Sequence, residues 1–307
     1  MERRYYHLVK PLIVRAGPEG LYPDMRIWMD SKDLGGVPVI FSYGFLKNQS
    51  VICHPTSRDK AVVHPYDEVL FFVGSDASDI KKLGGEISIE IGENPEEYIF
   101  RDPTVIAIPK NTPHGPITVN KLDRPIIHYL IGLNPEYSAT LIQKESRSSE
   151  QKYARLVKKF LVPGVEDGVI YMNRFQGPGN ADQAVFVDSR GLEGIGIFTS
   201  WGVYSKIGLW HKEPYGGPHT HPFDELLFAV GLDPSNLYYF GGSIEVALGD
   251  ELERHIITIP SAVIAPKGMV HCPMITWLVD NPFGFIALGL NPELVVWSIE
   301  RRERRPP

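Results

Sequence analysis

The sequence is poor in cysteine, with only Cys53 and Cys272 among 307 residues. Two thiols cannot staple a chain of this length, so a disulfide framework is excluded and a reducing compartment is expected. Basic charge is also short. Thirty-one Lys and Arg against 37 Asp and Glu leave a formal charge of −6, which argues against nucleic acid as a main partner. The one dense basic run, Arg301, Arg302, Arg304 and Arg305, reads as a solvated terminus. No apolar run approaches the ~18 residues that a bilayer span requires. Lys10 and Pro11 interrupt the short apolar stretch after Arg3 and Arg4, so no signal peptide is expected and the cytoplasm is the default location. Walker, phosphate-loop and nucleophile-elbow patterns are missing.

What is present is a repeat. His64-Pro65-Tyr66-Asp67-Glu68-Val69-Leu70-Phe71-Phe72-Val73-Gly74 returns 157 residues later, 64 becoming 221, as His221-Pro222-Phe223-Asp224-Glu225-Leu226-Leu227-Phe228-Ala229-Val230-Gly231. The same offset carries Gly84-Gly85 onto Gly241-Gly242, Pro109-Lys110 onto Pro266-Lys267, and His114 onto His271. It also carries Gly132-Leu133-Asn134-Pro135-Glu136 onto Gly289-Leu290-Asn291-Pro292-Glu293. Upstream, Asp30-Ser31 and Ser42-Tyr43-Gly44 match Asp188-Ser189 and Ser200-Trp201-Gly202 at an offset of 158, which implies one gap between. The chain is a duplicated domain.

Each copy reads as strand. Glu86–Ile91 and Ile244–Leu248 alternate apolar with other residues, the pattern of a half-buried strand. Gly and Pro recur at short intervals, as antiparallel sandwiches and small barrels require. Between the copies, Leu141, Ala154, Leu156, Val157 and Phe160 sit among many charges, which suggests a surface helix or two. The expected division is a first unit at 1–135, a partly helical connector at 136–165 and a second unit at 166–307.

The chemistry concentrates in the second copy, in Gly216-Gly217-Pro218-His219-Thr220-His221-Pro222-Phe223-Asp224-Glu225. Histidines two apart on a strand share a face. Along a straight strand Glu225 would lie about 13 Å beyond His221, too far to share an ion with bonds of ~2.1 Å. Pro222-Phe223-Asp224 turns the chain back, so that Glu225 opens the next strand beside the histidines. His271, after the turn Pro266-Lys267-Gly268, is the fourth candidate. Three imidazoles and a carboxylate suit Fe(II), Mn(II), Zn(II), Ni(II) or Co(II). Asp224 reads as a turn former ahead of a carboxylate orienting an imidazole. Strand alternation points Cys272 away from the ion. Trp201, Trp210, Trp277 and Tyr215 read as core, with a pocket for a planar ligand as the alternative.

H-x-H-x3-E followed by P-x-G-x-x-H resembles the two metal-binding motifs of the cupin superfamily. Two such units resemble the bicupins, which include oxalate decarboxylases and ring-cleaving dioxygenases. The likeness covers about 25–136 and 183–293. Glu213 stands where the motif has glycine six positions before its first histidine. The resemblance implies an all-β chain of two tandem jelly-roll barrels, with His219, His221, Glu225 and His271 as ligands of one divalent metal per chain. Fe(II) or Mn(II) is favoured and Zn(II) or Ni(II) also fits. It further implies pairing into a homodimer.

In the first copy His64, Glu68 and His114 match, but Val62 stands where His219 does. Two histidines and a carboxylate form a candidate second site of the kind that holds non-haem iron; the alternative is a decayed site kept for packing. His54 lies nearby in sequence, but the upstream gap leaves its register open. An ion with two open positions can take a small oxygen-bearing molecule. The leading expectation is therefore a dioxygenase-type oxidoreductase. The alternatives are a decarboxylase or isomerase of a small organic acid, or a non-enzymatic binding protein. No residue is assigned as general acid or base.

Overall fold

A computed structural model describes residues 3–160, 181–210 and 217–299, with the backbone alone at 164–166 and 169–173. The described residues form four sheets in which every pairing is antiparallel. In the first copy a seven-stranded sheet has Thr104–Ile108, Glu68–Gly74, Ile126–Gly132 and Ile40–Leu46 as successive neighbours. Facing it, a six-stranded sheet runs Thr140–Gln143, Lys60–Val63, His114–Leu122, Gly85–Ile91, Glu96–Phe100, with Ile52–Cys53 also paired to His114–Leu122. The second copy repeats both. Ser261–Ala265, Glu225–Gly231, Phe283–Gly289 and Phe198–Tyr204 are neighbours in one sheet, and Glu253–Ile257, Gly242–Leu248, His271–Val279 and His219–Thr220 in the other. These are two tandem jelly-roll barrels.

The unbroken apolar run after each glutamate has a physical reason. Leu70 and Phe72 join the interior of the first barrel, whereas Val69, Phe71 and Val73 join the cluster that continues into the second. A strand covered on both faces has no polar side to alternate. Across this contact Phe41 and Phe228 stack with ring centroids 3.8 Å apart, and the Tyr43 hydroxyl donates to the Gly231 carbonyl at 2.7 Å. Phe41→Ala should lower the urea unfolding free energy by roughly 3–5 kcal/mol, while a change at exposed Ile99 should leave it nearly unchanged.

The connector differs from the expected helix or two. Its helical content among the described residues is one three-residue 3-10 turn, Ala154–Leu156. The rest binds the first barrel: Thr140–Gln143 pairs with Lys60–Val63, and Val157–Lys159 pairs with Thr104–Ile108. The charges read as a helix surface instead meet the barrel wall, where Lys144 and Arg147 both pair with the buried Glu90. Pairing with sheet edges satisfies the backbone and removes exposed edges together.

A matching arm opens the chain. Val9–Pro11 follows a 3-10 turn, Tyr6–Leu8, and pairs with Ser261–Ala265 of the second barrel. The Tyr5 ring lies against Gly249, where a Cβ would come within 2.1 Å of it. Tyr153 does the same at Gly92, with 2.5 Å. The duplication therefore includes an arm, and the first copy's arm lies on the second copy's barrel. Among the described residues no helix is long and apolar enough to cross a membrane.

Candidate metal centres

In the second barrel His219 and His271 are register partners on adjacent strands. The chain leaves the strand after Thr220 and re-enters one at Glu225. Asp224 fixes this turn to the one before His271: its carboxylate accepts from the Lys267 amide at 2.7 Å, as Asp67 accepts from Lys110 at 2.8 Å in the first barrel. Asp224 is the turn former.

Glu225 Oε2 stands 3.0 Å from His271 Nε2 and 3.4 Å from His221 Nε2. Ligand atoms of His221, Glu225 and His271 all lie within 4.8 Å of one another. His219 belongs to a second such set, with His271 and Cys272, so the four expected ligands do not form one mutual set at that limit. The His219 ring is nonetheless 4.4 Å from the His271 ring and 5.0 Å from that of His221. Cys272 is not turned away. Val246 pairs with Met274 but Leu248 with His271, three residues against two, and this bulge breaks the alternation that would have reversed its side chain. Burial raises the Cys272 thiol pKa.

The first barrel holds a four-residue set whose atoms lie within 4.8 Å: His54, His64, Glu68 and His114. Val62, the register partner of His114, is fully buried, and the missing imidazole comes from His54, just beyond the short strand Ile52–Cys53. Glu68 Oε2 is 3.1 Å from His54 Nε2, 3.1 Å from His114 Nε2 and 3.6 Å from His64 Nε2. A signal for His54 existed in the sequence. Ile52 pairs with Thr118 as Leu209 pairs with Ile275, so the offset of 157 already holds here and carries His54 onto His211. His211, Glu213 and Tyr215 lie outside the described residues, as does the Arg301–Arg305 run. Trp201 and Trp210 are fully buried core. Trp277 is half-exposed and donates to Glu245.

The hydrogen bonds outside each cluster determine what lies inside it. Nδ1 of His219, His221 and His271 meets the carbonyls of Gly217, Val295 and Met269 at 2.9, 2.6 and 3.2 Å. Nδ1 of His64 and His114 meets those of Ser138 and Thr112 at 2.8 and 2.9 Å. A carbonyl only accepts, so each Nδ1 carries the proton and each Nε2 turns a lone pair inward. The buried Nε2 atoms of His64, His221 and His271 have no good hydrogen-bond partner. Lone pairs thus converge on a carboxylate with no proton between them, and that is repulsive unless a cation sits there. The spacings suit one: two ligands at right angles on an ion with bonds of ~2.1 Å stand about 3.0 Å apart.

Burial opposes ionisation of Glu225 and Glu68, but their histidines outweigh it, since any proton taken up at an Nε2 would bond the carboxylate, and both carboxyls are held below the usual range. Burial lowers His54 and His219 from 6.5 to about 4. In the metal-free protein these two stay neutral where the unfolded chain takes up protons. Stability should therefore be full above pH 6.5 and fall as pH drops toward about 4, by about 3 kcal/mol for His54 alone. Urea midpoints in chelator at pH 7 and pH 5 test the sign.

No protein-family model matches the sequence, and no curated protein does. Solved structures do match. A structure of oxalate decarboxylase concerned with its substrate binding mode is 13% identical, with a TM-score of 0.58 over 95% of this chain and 79% of that one. A serine-to-alanine mutant of the Bacillus subtilis enzyme gives 11% identity and a TM-score of 0.59, with the same coverage of 95% and 79%. A structure from work on the Mn(II) centers of that enzyme gives 12% and 0.57, again over 95% and 79%. The chain has the bicupin fold.

Proposed function

We propose that the chain is a metal-dependent enzyme that decarboxylates a small organic acid at the second-barrel cluster of His219, His221, Glu225 and His271. The observation carrying this reading is the inward convergence of imidazole lone pairs on an ionised carboxylate without a proton donor between them. Mn(II) is the favoured ion and Fe(II) the next, because a nitrogen and oxygen donor set suits both and the similar decarboxylase is a Mn(II) protein. A bound divalent ion would act as a Lewis acid on a substrate carboxylate or carbonyl.

The chain's own groups prepare for an anion. Three neutral imidazoles and one carboxylate contribute a single negative charge against the ion's two positive ones, and the net positive site favours a carboxylate ligand. Each imidazole is fixed in orientation by its Nδ1–H bond to a backbone carbonyl, so the ligand geometry is set before anything binds. All four residues are buried, His219 keeping 9% and Glu225 5% of its surface.

The fold is shared with a decarboxylase, which supports this reading ahead of dioxygenation. The test strips the protein with chelator, reloads Mn(II) or Fe(II), and follows carbon dioxide and oxygen over a panel of small mono- and dicarboxylic acids. Carbon dioxide release without oxygen uptake is expected. Oxygen uptake matching product would replace the proposal with dioxygenation, and neither gas changing would leave a binding protein.

A further inference from the structure

The two barrels present different outer faces. In the second, Glu245 is the register partner of both Ile256 and Ile275, and Ile275 is also that of Leu209, so these four form one row across four strands. Ile244 and Thr276, next to them in sequence, point into the barrel and are buried, so the row faces outward. A bulge extends it. Ile244 pairs with Thr276 but Ser243 with Leu278, which leaves Trp277 as the extra residue and turns it and Leu278 to the same side. Ile256, Leu209, Trp277 and Leu278 are 47, 49, 54 and 58% exposed.

The duplication supplies the comparison. At the offset of 157 the first barrel has Thr118 for Ile275, Asn120 for Trp277 and Lys121 for Leu278, on a bulge at the same place. Its face is also strapped by the chain that follows. Lys144 and Arg147 both pair with Glu90, and Arg147 reaches Glu97 at 3.1 Å, bordering a cleft that Ser88, Thr118 and Asn120 help to line. The second barrel lacks the charges for the same strap. The counterparts of Lys144 and Arg147 are Arg301 and Arg304, but those of Glu90 and Glu97 are Ala247 and Arg254. Both acids are gone and one has become a base, so the tail would meet repulsion where its counterpart meets attraction.

We propose that this apolar face of the second barrel joins two copies of the chain about a twofold axis, row against row. Such a contact sets each patch against itself, so an unmatched charge would meet its like. Glu245 is already matched: Trp277 Nε1 donates to it at 3.1 Å, and Arg254 stands 3.4 Å from it. The exposed parts of Ile256, Ile275, Leu209, Trp277 and Leu278 amount to roughly 500 Å², large for an apolar patch on a monomer. That area is close to the apolar ~60% of the ~800 Å² that each partner commonly buries. Tryptophan is also the residue type that most often dominates such contacts. The inference depends neither on a bound ion nor on turnover.

The test is the mass of the full-length protein by sedimentation equilibrium, from nanomolar to high micromolar concentration. At the upper end the wild type should weigh twice its 34.5 kDa. The double substitution Trp277→Asn, Leu278→Lys places the first barrel's own residues on the same bulge, and should raise the dimer dissociation constant more than a hundredfold. Ile256→Arg should act in the same direction without touching the bulge, which keeps the test open if the double variant fails to fold. Ile99→Arg, the matching change on the first barrel, should leave dimerisation as it is. A wild type that stays monomeric at high micromolar concentration would overturn the proposal, as would a dimer that resists both changes on the second barrel. Dimers that form only after removal of residues 300–307 would give the face to the chain's own tail.

Discussion

Glu225→Gln is expected to abolish turnover and to lower metal affinity at the second-barrel site by more than about a hundredfold, beyond what loss of a supporting hydrogen bond costs. The amide keeps the shape of the carboxylate but removes the charge against which the three imidazole lone pairs are arranged. The same substitution should have the opposite effect without metal. In the free protein Glu225 is an ionised group only 5% exposed, and burying such a charge costs several kcal/mol before its partners offset it. A glutamine there is neutral, and its NH2 can donate to the waiting Nε2 atoms of His221 or His271. In EDTA the variant should therefore match or exceed the wild type in urea midpoint, and with Mn(II) it should fall behind. A variant equally destabilised in both conditions would make Glu225 a packing residue and not a ligand.

Gly115→Ala should disable the first-barrel site and destabilise the protein by several kcal/mol. Gly115 has φ +83°, and a Cβ there would fall 1.8 Å from the His54 carbonyl oxygen. The positive φ is not itself the obstacle, because Cys272 occupies the matching position with φ 70°. The requirement comes from the approach of the His54 backbone, which a methyl group would push away from Glu68 and His114. The expected result is a loss of one bound Mn(II) per chain together with a lower urea midpoint. Retained Mn(II) in a folded Gly115→Ala protein would show that His54 is dispensable to the site.

The large features were legible because they rest on local chemistry. The repeat, the strand periodicity and the turn at Pro222-Phe223-Asp224 all follow from residue identity at short range, and they suffice for paired antiparallel barrels. What failed depended on partners distant in sequence. Residues 136–160 looked like a charged surface helix because nothing local reveals that Thr140–Gln143 and Val157–Lys159 find open sheet edges, or that Lys144 and Arg147 find Glu90. Alternation along the strand turns Cys272 the wrong way because a bulge, invisible in the sequence, intervenes. His54 was missed for a similar reason. Its place among the ligands is set by the close approach of a glycine 61 residues later, at 115 against 54, while the upstream gap obscures the offset that carries it onto His211.

Asymmetry between the copies is what the duplicated sequence conceals. Val62 in place of His219 looks like decay when read along one strand, yet the structure returns an imidazole to the same space from another segment.

Elemental analysis of freshly purified full-length protein, alongside Glu225→Gln and His54→Ala, tests the cation-binding claim most directly. The account predicts two divalent transition-metal ions per chain in the wild type and one in each variant. Wild-type protein with no bound metal, taking up none from added Mn(II) or Fe(II) and gaining no thermal stability from either, would contradict it.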